Sequence, residues 1–237
     1  MDLAQSPSLA ELVAPAVPLG AHCLSFGRHE PAARRYDRAR IAALGLAVVR
    51  RPTGGRAVWH GSELTYAFAA PSEALGSLRE TYLEIHQMIR GALGALGVPA
   101  ELASARAAVS PGAGACFAAP AGGEVMVGDR KVAGSAQLRE DGALLQHGSV
   151  LLEDDQDVVR QVTCGDAPPD GSAPVSRLVG RRVEWDEAAA ALAAAAAERW
   201  GASFPEPAAP AAVLEAAEAH VPRFRSAAWT WEAAASG

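Results

Sequence analysis

"RRPTGGRAVWHGSELTYAF", residues 50–68, sets two arginines, a Pro-Thr, paired glycines and a third arginine directly before a strand-like run. Paired glycines cost backbone entropy and remove side chains that could pack. They return close approach, because no Cβ stands between the backbone and a ligand. Arg50, Arg51 and Arg56 would bring fixed positive charge to that approach. A bulge or tight turn carrying solvated arginines accounts for the same residues, and the spacing matches neither a phosphate-binding Walker loop nor a dinucleotide fingerprint.

Working outward, "LAVVRR" (46–51) reads as a buried strand running into the glycines. After them "ELTYAFAA" alternates, with Leu64, Tyr66 and Phe68 on one face, the two-residue period of a strand. Upstream, "HCLSFG" (22–27) is a short strand and residues 31–45 are a helix closed by Gly45, with Tyr36, Ile41 and Leu44 inward. Downstream, residues 77–97 carry the strongest helical pattern: Leu78, Tyr82, Ile85, Ile89 and Leu93 recur at helical spacing. Ser77 and Glu80 form a capping box at its start. Residues 100–123 are a loop rich in small residues that contains Cys116. Residues 123–152 read as an antiparallel meander turning at Gly128-Asp129 and Asp141-Gly142, the second a hairpin signal. A breaker-rich connection (164–176) leads to two helices. One spans residues 186–201, with an acidic start and a glycine stop, and the other residues 210–220 from Pro210. This order predicts an α+β sheet with helices mainly on one face.

Of the 237 residues, half are hydrophobic, enough for a sizeable core. A net charge of -6 argues against a general nucleic-acid binder. No apolar run approaches the roughly 20 residues that span a bilayer, and the acidic N-terminus is no secretory signal, so the expectation is a cytoplasmic protein without a membrane partner. The alanine bias reads as genomic base composition. Cys23, Cys116 and Cys164 are far apart and form no CxxC pair, which weighs against a structural metal site or a disulfide framework. At least one free thiol is expected.

Two further stretches could carry chemistry. In "GDRKVAGSAQ" (128–137), Lys131 is followed by small residues that leave a trough beside it. A solvated turn lysine is the plain alternative. In "LQHGSVLL" (145–152), His147 sits between apolar stretches, where a satisfied structural histidine is the plain alternative.

Taken in order, "RRPTGGRAVWH", "GDRKVAGSAQLR" and "LQHGSVLLE" resemble the biotin/lipoate A/B protein ligase family, from about Ser25 to residue 155 and more loosely to the C-terminus. The resemblance implies an α+β fold: a mixed, largely antiparallel β-sheet flanked by helices, of the class II aminoacyl-tRNA synthetase/biotin-protein-ligase type. Residues 1–20 would be a short irregular segment, 21–163 the catalytic core, and 177–237 a helical C-terminal part of the same domain. Members attach lipoate, octanoate or biotin to one lysine of a carrier domain. By this resemblance Gly54 and Gly55 give the acyl chain a side-chain-free wall, and Lys131 contacts its carbonyl or acyl phosphate. Arg51, Arg56, His60, Gly134, Ser135, His147 and Gly148 line the acyl site.

One branch consists of cysteine-dependent octanoyltransferases, whose cysteine stands in a "CF-x-A-P/S" context just upstream of the lysine hairpin. Here "ACFAAPAGGEVMVGDRKVAG" puts Cys116 there, and "RRPTGGRAV" is closer to the transferases than to the ligases' "RRxSGGGAV". An ordinary thiol, with a pKa of about 8.5, is only a few per cent thiolate at pH 7. A nearby Lys131 ammonium would raise that fraction and stabilise the thioester oxyanion. The resemblance thus implies transfer from octanoyl-acyl carrier protein to Cys116, and from Cys116 to a lysine of a lipoyl domain or glycine-cleavage H-type protein. No cofactor or metal is implied, and Cys23 and Cys164 are expected to be structural. The alternatives are an ATP-dependent lipoate–protein ligase, needing lipoate, ATP and magnesium, and a degenerate non-catalytic acyl- or carrier-binding protein. The last is suggested by only 20 residues preceding "AHCLSFGRHE" where members carry a longer N-terminal region. Because such carriers are typically acidic, Arg34, Arg35, Arg38 and Arg40 could steer them, or form a solvated helix face.

Overall fold

The computed structural model describes residues 22–104, 122–167, 169–201 and 211–232, without the side chains of residues 211–214. Segment 1–20, Cys116 and Pro210 lie outside the described residues.

The first half runs β1 (Cys23–Phe26), α1 (Ala32–Arg35), α2 (Arg38–Ala43), β2 (Ala47–Arg50), β3 (Val58–His60), β4 (Glu63–Pro71) and α3 (Leu78–Ala95). Then come β5 (Glu101–Leu102), β6 (Val125–Val127), β7 (Arg130–Lys131), β8 (Ala133–Glu140) and β9 (Ala143–Leu151). The remainder is α4 (Asp157–Val162), α5 (Val175–Val179), α6 (Trp185–Trp200), α7 (Ala211–Glu218), α8 (Val221–Arg225) and a π-helical turn (Ala228–Glu232).

Among the described residues the strands form sheets ordered β4-β9-β8, β2-β1-β3 and β5-β6-β7. Among the described residues only the β1–β2 strand pair is parallel, beside an isolated parallel bridge between Lys131 and Ser172, so the architecture is the expected α+β one, mixed and largely antiparallel. The β8–β9 hairpin turns at Asp141 (φ 50°) and Gly142 (φ 76°), both in the left-handed region that the tight Asp-Gly turn requires.

The alternation read in β4 is real: Leu64, Tyr66 and Phe68 are at most 2% exposed. They face a core with Ile85, Ile89 and Leu93 of α3 and Leu192, Ala196 and Trp200 of α6. Burying each such aliphatic side chain contributes about 1.5–3 kcal/mol. The capping box forms, Glu80 N–H donating to Ser77 Oγ and Ser77 N–H to Glu80 Oε2. Leu78, in the first turn, stays outside the apolar stripe and is exposed. The opposite face of β4-β9-β8 meets the small sheet β2-β1-β3, and this junction positions the site.

Several expectations fail. The single helix over 31–45 breaks at Tyr36, which is extended and bridges Thr163. Asp37 accepts a hydrogen bond from Arg40 N–H and so starts α2 afresh, a local side-chain bond that competes with helix continuation. Leu44 points outward, although Gly45 (φ +64°) does end α2. "LAVVRR" is an edge strand, not a buried one. Val49 is exposed, and the buried residue is Arg50. The connection after Cys164 partly acts as strand, with Lys131 N–H donating to Gly171 O and Ala173 N–H to Lys131 O. Helices α4 and α5 had no sequence signal.

The C-terminal turn docks on β1 and β2. Trp231 packs against Phe26 with ring centroids 5.3 Å apart, and Trp229 Nε1 donates to Arg50 O. Arg50 completes the joint. Its Nε donates to Trp229 O and Thr230 O, and its Nη1 to Gly27 O, Arg28 O and Glu30 O. No helix among the described residues is long and apolar enough to cross a membrane.

Candidate active site

The glycine loop is organised by its own arginine. Arg51 Nη2 donates to Gly54 O and Arg56 O, while Nη1 donates to Ser25 O and Ser25 Oγ. The two glycines do different things. Gly55 has φ +85°, and its carbonyl lies so close to Gly27 that a Cβ on Gly27 would come within 1.9 Å of it. A Cβ on Gly54 would meet nothing within 4 Å. Thus Gly55 shapes the loop and Gly54 leaves space open. Arg50 does not bring charge to this opening, contrary to expectation, because its guanidinium is buried against the C-terminal turn.

Between the sheets lies a cavity of about 20 Å³, room for one water. Its walls include Arg51, His60, Gly134, Ser135, His147 and Gly148, all expected at the site, and also Ser25 and Ser149. Arg56 contributes its carbonyl to the Arg51 clamp. His60 Nδ1 lies 2.5 Å from Glu63 Oε1 and Nε2 lies 2.6 Å from Ser25 Oγ. The partners assign the tautomer. Glu63 accepts from Nδ1–H, and Ser25 Oγ, already accepting from Arg51, donates to Nε2. Thr53 Oγ1 lies 2.5 Å from His147 Nε2. Burial, and then the charge of Arg51 and the neighbouring His60, lower the pKa of His147 to about 4, so it is neutral near pH 7.

A second polar chain runs on the helix side of the same strands. His86 Nδ1 donates to Gly123 O and Nε2 accepts from Ser135 Oγ, each at 2.7 Å. Ser135 Oγ bonds Tyr66 Oη, which accepts from Gln146 Nε2. Burial, opposed by the Gly123 carbonyl and aided by Lys131, lowers the pKa of His86 to about 4. Gly148 lies between the two chains, and a Cβ there would stand 2.4 Å from Gly134 O and 2.7 Å from Tyr66 Cε1.

Lys131 is 1% exposed, and its Nζ donates to Glu124 Oε1 at 2.5 Å. It is not among the residues lining the cavity. Gly123 and Glu124, which hold His86 and Lys131, closely follow the segment carrying Cys116. Of the described cysteines, Cys23 is half-buried, and burial together with Glu63 pushes its thiol pKa up, which suits a passive role. Cys164 is exposed, not structural as expected. Sequence reading passed over Ser25, Thr53, Glu63, His86 and Glu124. An acid three residues after His60, at the start of an apolar strand, and a histidine inside an apolar helix were the available signals.

The profile of the lipoyl protein ligase A/B catalytic domain matches residues 20–197. The chain belongs to this family. Within the lipoyl protein ligase A/B family it is 37% identical, over 197 residues, to octanoyltransferase LipM of Symbiobacterium thermophilum, covering 75% of this chain and 71% of that protein. It is 42% identical over 142 residues to octanoyltransferase LipM of Exiguobacterium sibiricum, a match that spans 51% of the relative's length and 56% of this chain. Lipoate-protein ligase A bound with ATP shares the fold at TM-score 0.76 and 21% identity, covering 89% of this chain and 82% of that one. The bipartite lipoate protein ligase of Thermoplasma acidophilum does so at TM-score 0.70 and 20% identity, with 89% and 80% covered.

Proposed function

We propose that the protein is an octanoyltransferase of lipoate biosynthesis. It takes octanoate from acyl carrier protein onto Cys116 as a thioester and passes it to a lysine ε-amine of a lipoyl domain or glycine-cleavage H-type protein. The observation that carries this reading is the 37% identity with an octanoyltransferase LipM over 75% of the chain. The cysteine's place in sequence supports it. Cys116 precedes Glu124, the partner of Lys131, by only the short stretch FAAPAGG.

The steps follow from thiol chemistry. Cys116 as thiolate attacks the carbonyl of the carrier-borne thioester. The C–S bond to the carrier's arm breaks, and the leaving sulfur takes up the proton Cys116 gave up. The acceptor amine, once neutral, then attacks the enzyme thioester. An amide forms, the C–S bond to Cys116 breaks, and the amine's surplus proton ends on the sulfur. Lys131, held by Glu124, supplies the ammonium that favours thiolate and oxyanion. The octanoyl chain lies between the sheets beside Gly54, Gly134 and Gly148, with Arg51, Arg56, His60, Ser135 and His147 around it. Since the cavity is only about 20 Å³, entry of the chain widens it and moves the Thr53–His147 contact apart. On this reading the protein is cytoplasmic and needs no cofactor.

Incubation with octanoyl-acyl carrier protein without ATP, read by intact mass, tests the proposal. A thioester adduct that is absent in Cys116→Ser supports it. Adduct-free protein that modifies its acceptor only with lipoate, ATP and magnesium would establish the ligase route. Binding without transfer under either condition would establish a non-catalytic carrier-binding protein.

A further inference from the structure

The π-helical turn Ala228–Glu232 carries two buried indoles, and arginines from three parts of the chain stack on them. Arg28 and Arg223 lie over Trp229, 5.5 and 4.2 Å from its centroid, and Arg38 lies 4.5 Å over Trp231. Arg34, Arg40 and Arg225 are exposed on the adjoining helices α1, α2 and α8. Among the described residues none of these six has a carboxylate within ion-pair distance. Arg160, Arg177, Arg181, Arg182 and Arg199 have one, whereas Arg79, Arg90, Arg130 and Arg139 also lack one among the described residues, so it is the clustering and the indole stacking that set this face apart. Three acids lie on the elements of this face. Glu30 is bonded to Arg35 and Tyr36, while Asp37, which caps α2, and Glu232 are exposed. Arg35 therefore drops out of the basic helix read from sequence. In a chain of net charge -6, three arginines stacked on the two indoles of one turn, with Arg34, Arg40 and Arg225 exposed on the adjoining helices and none of the six ion-paired among the described residues, make this face locally basic. Indole stacking also holds three of the guanidinium groups in place before any partner arrives.

We infer that this face is the docking surface for the acidic acyl carrier protein that delivers the octanoyl group, an inference that rests on the transferase reading. Its position selects the donor over the acceptor. On β1, Leu24 and Phe26 face the cluster under the patch, which includes Tyr36 and Trp231, while Ser25 between them faces the cavity. Patch and cavity are therefore on opposite sides of the small sheet, joined at its end by the glycine loop. Arg28 N–H donates to Thr53 O, Thr53 bonds His147 at the cavity wall, and Gly54 leaves open space beside them. A carrier with its thioester on a long flexible arm can dock on one side and reach around this loop. A lysine side chain is too short for that route and must be presented at the opening itself.

Binding is measured with octanoyl-acyl carrier protein and full-length protein carrying Cys116→Ala, so that no transfer intervenes. Arg38→Glu with Arg223→Glu should weaken donor binding at least tenfold and flatten its salt dependence. The neutral pair Arg38→Gln and Arg223→Gln should fall between. Arg79→Glu with Arg90→Glu on α3, which changes net charge equally, should stay within twofold, as should acceptor-domain binding by every variant. Unchanged donor affinity in the Arg38/Arg223 variants overturns the inference. So does equal weakening by the α3 pair, or weakening of the acceptor in place of the donor. Failure of the wild type to form the Cys116 thioester would instead refute the transferase reading, and the binding result would still stand on its own.

Discussion

Replacing Gly54 with alanine separates the structural use of the glycine pair from its use at the site. A Cβ at Gly54 has no neighbour within 4 Å, and its backbone is outside the left-handed region. The added methyl therefore costs no contact and removes conformational freedom from the unfolded chain, worth about 0.4–1 kcal/mol of added stability. For a chain of this size that raises Tm by about 1–4 °C. At Gly55, φ is +85° and a Cβ would lie 2.9 Å from Arg51 Nη2. Alanine there costs about 1–2 kcal/mol in backbone strain alone and lowers Tm by about 2–8 °C. If the space beside Gly54 takes the acyl chain, a methyl in it should slow formation of the octanoyl adduct by about tenfold or more, the usual scale for one methylene too many in an apolar slot. Calorimetric melting and single-turnover adduct formation by mass report the two effects separately. Gly54→Ala that is stable and loads octanoate at the wild-type rate would refute the acyl-wall assignment. A destabilised Gly54→Ala would refute the geometry itself.

Gly148→Ala forces a Cβ against the Gly134 carbonyl and the Tyr66 ring, so urea unfolding should show a loss of about 1–3 kcal/mol. Arg50→Met abandons hydrogen bonds to five carbonyls and should cost about 3–5 kcal/mol, with tryptophan fluorescence reporting release of the C-terminal turn. His86 and His147, each lowered to about 4, stay neutral in the folded state while the unfolded chain begins to bind protons near pH 6.5. Stability should be full above pH 6.5 and decline as pH falls toward 4, by about 2 kcal/mol per histidine at pH 5. His86→Gln should remove its share of that slope in denaturation measured across pH, and an unchanged slope would contradict the assignment.

What could be read from the chain was local. The alternation of Leu64, Tyr66 and Phe68, the Ser77–Glu80 box and the Asp141-Gly142 turn each depend on neighbours a few residues away, and each formed. Arg50 could not be read, because the carbonyls it satisfies come from residues 27–30 and 229–230. The break at Tyr36 was missed because apolar spacing continues through it, whereas Asp37's capping bond and the pairing with Thr163 decide the backbone. At the site, the glycine pair announced close approach without saying which glycine met backbone and which met space. The Ser25–His60–Glu63 chain needed β1 laid beside β3, a pairing no local pattern encodes.

The central claim is that octanoate travels through one sulfur. Octanoyl-enzyme freed of its donor is mixed with an unmodified lipoyl domain, without ATP, and followed by tandem mass spectrometry. The account predicts that octanoate leaves Cys116 and appears on the domain's lysine in equal amount. Octanoate found on Cys23 or Cys164, or staying on Cys116 while the lysine remains bare, would contradict it.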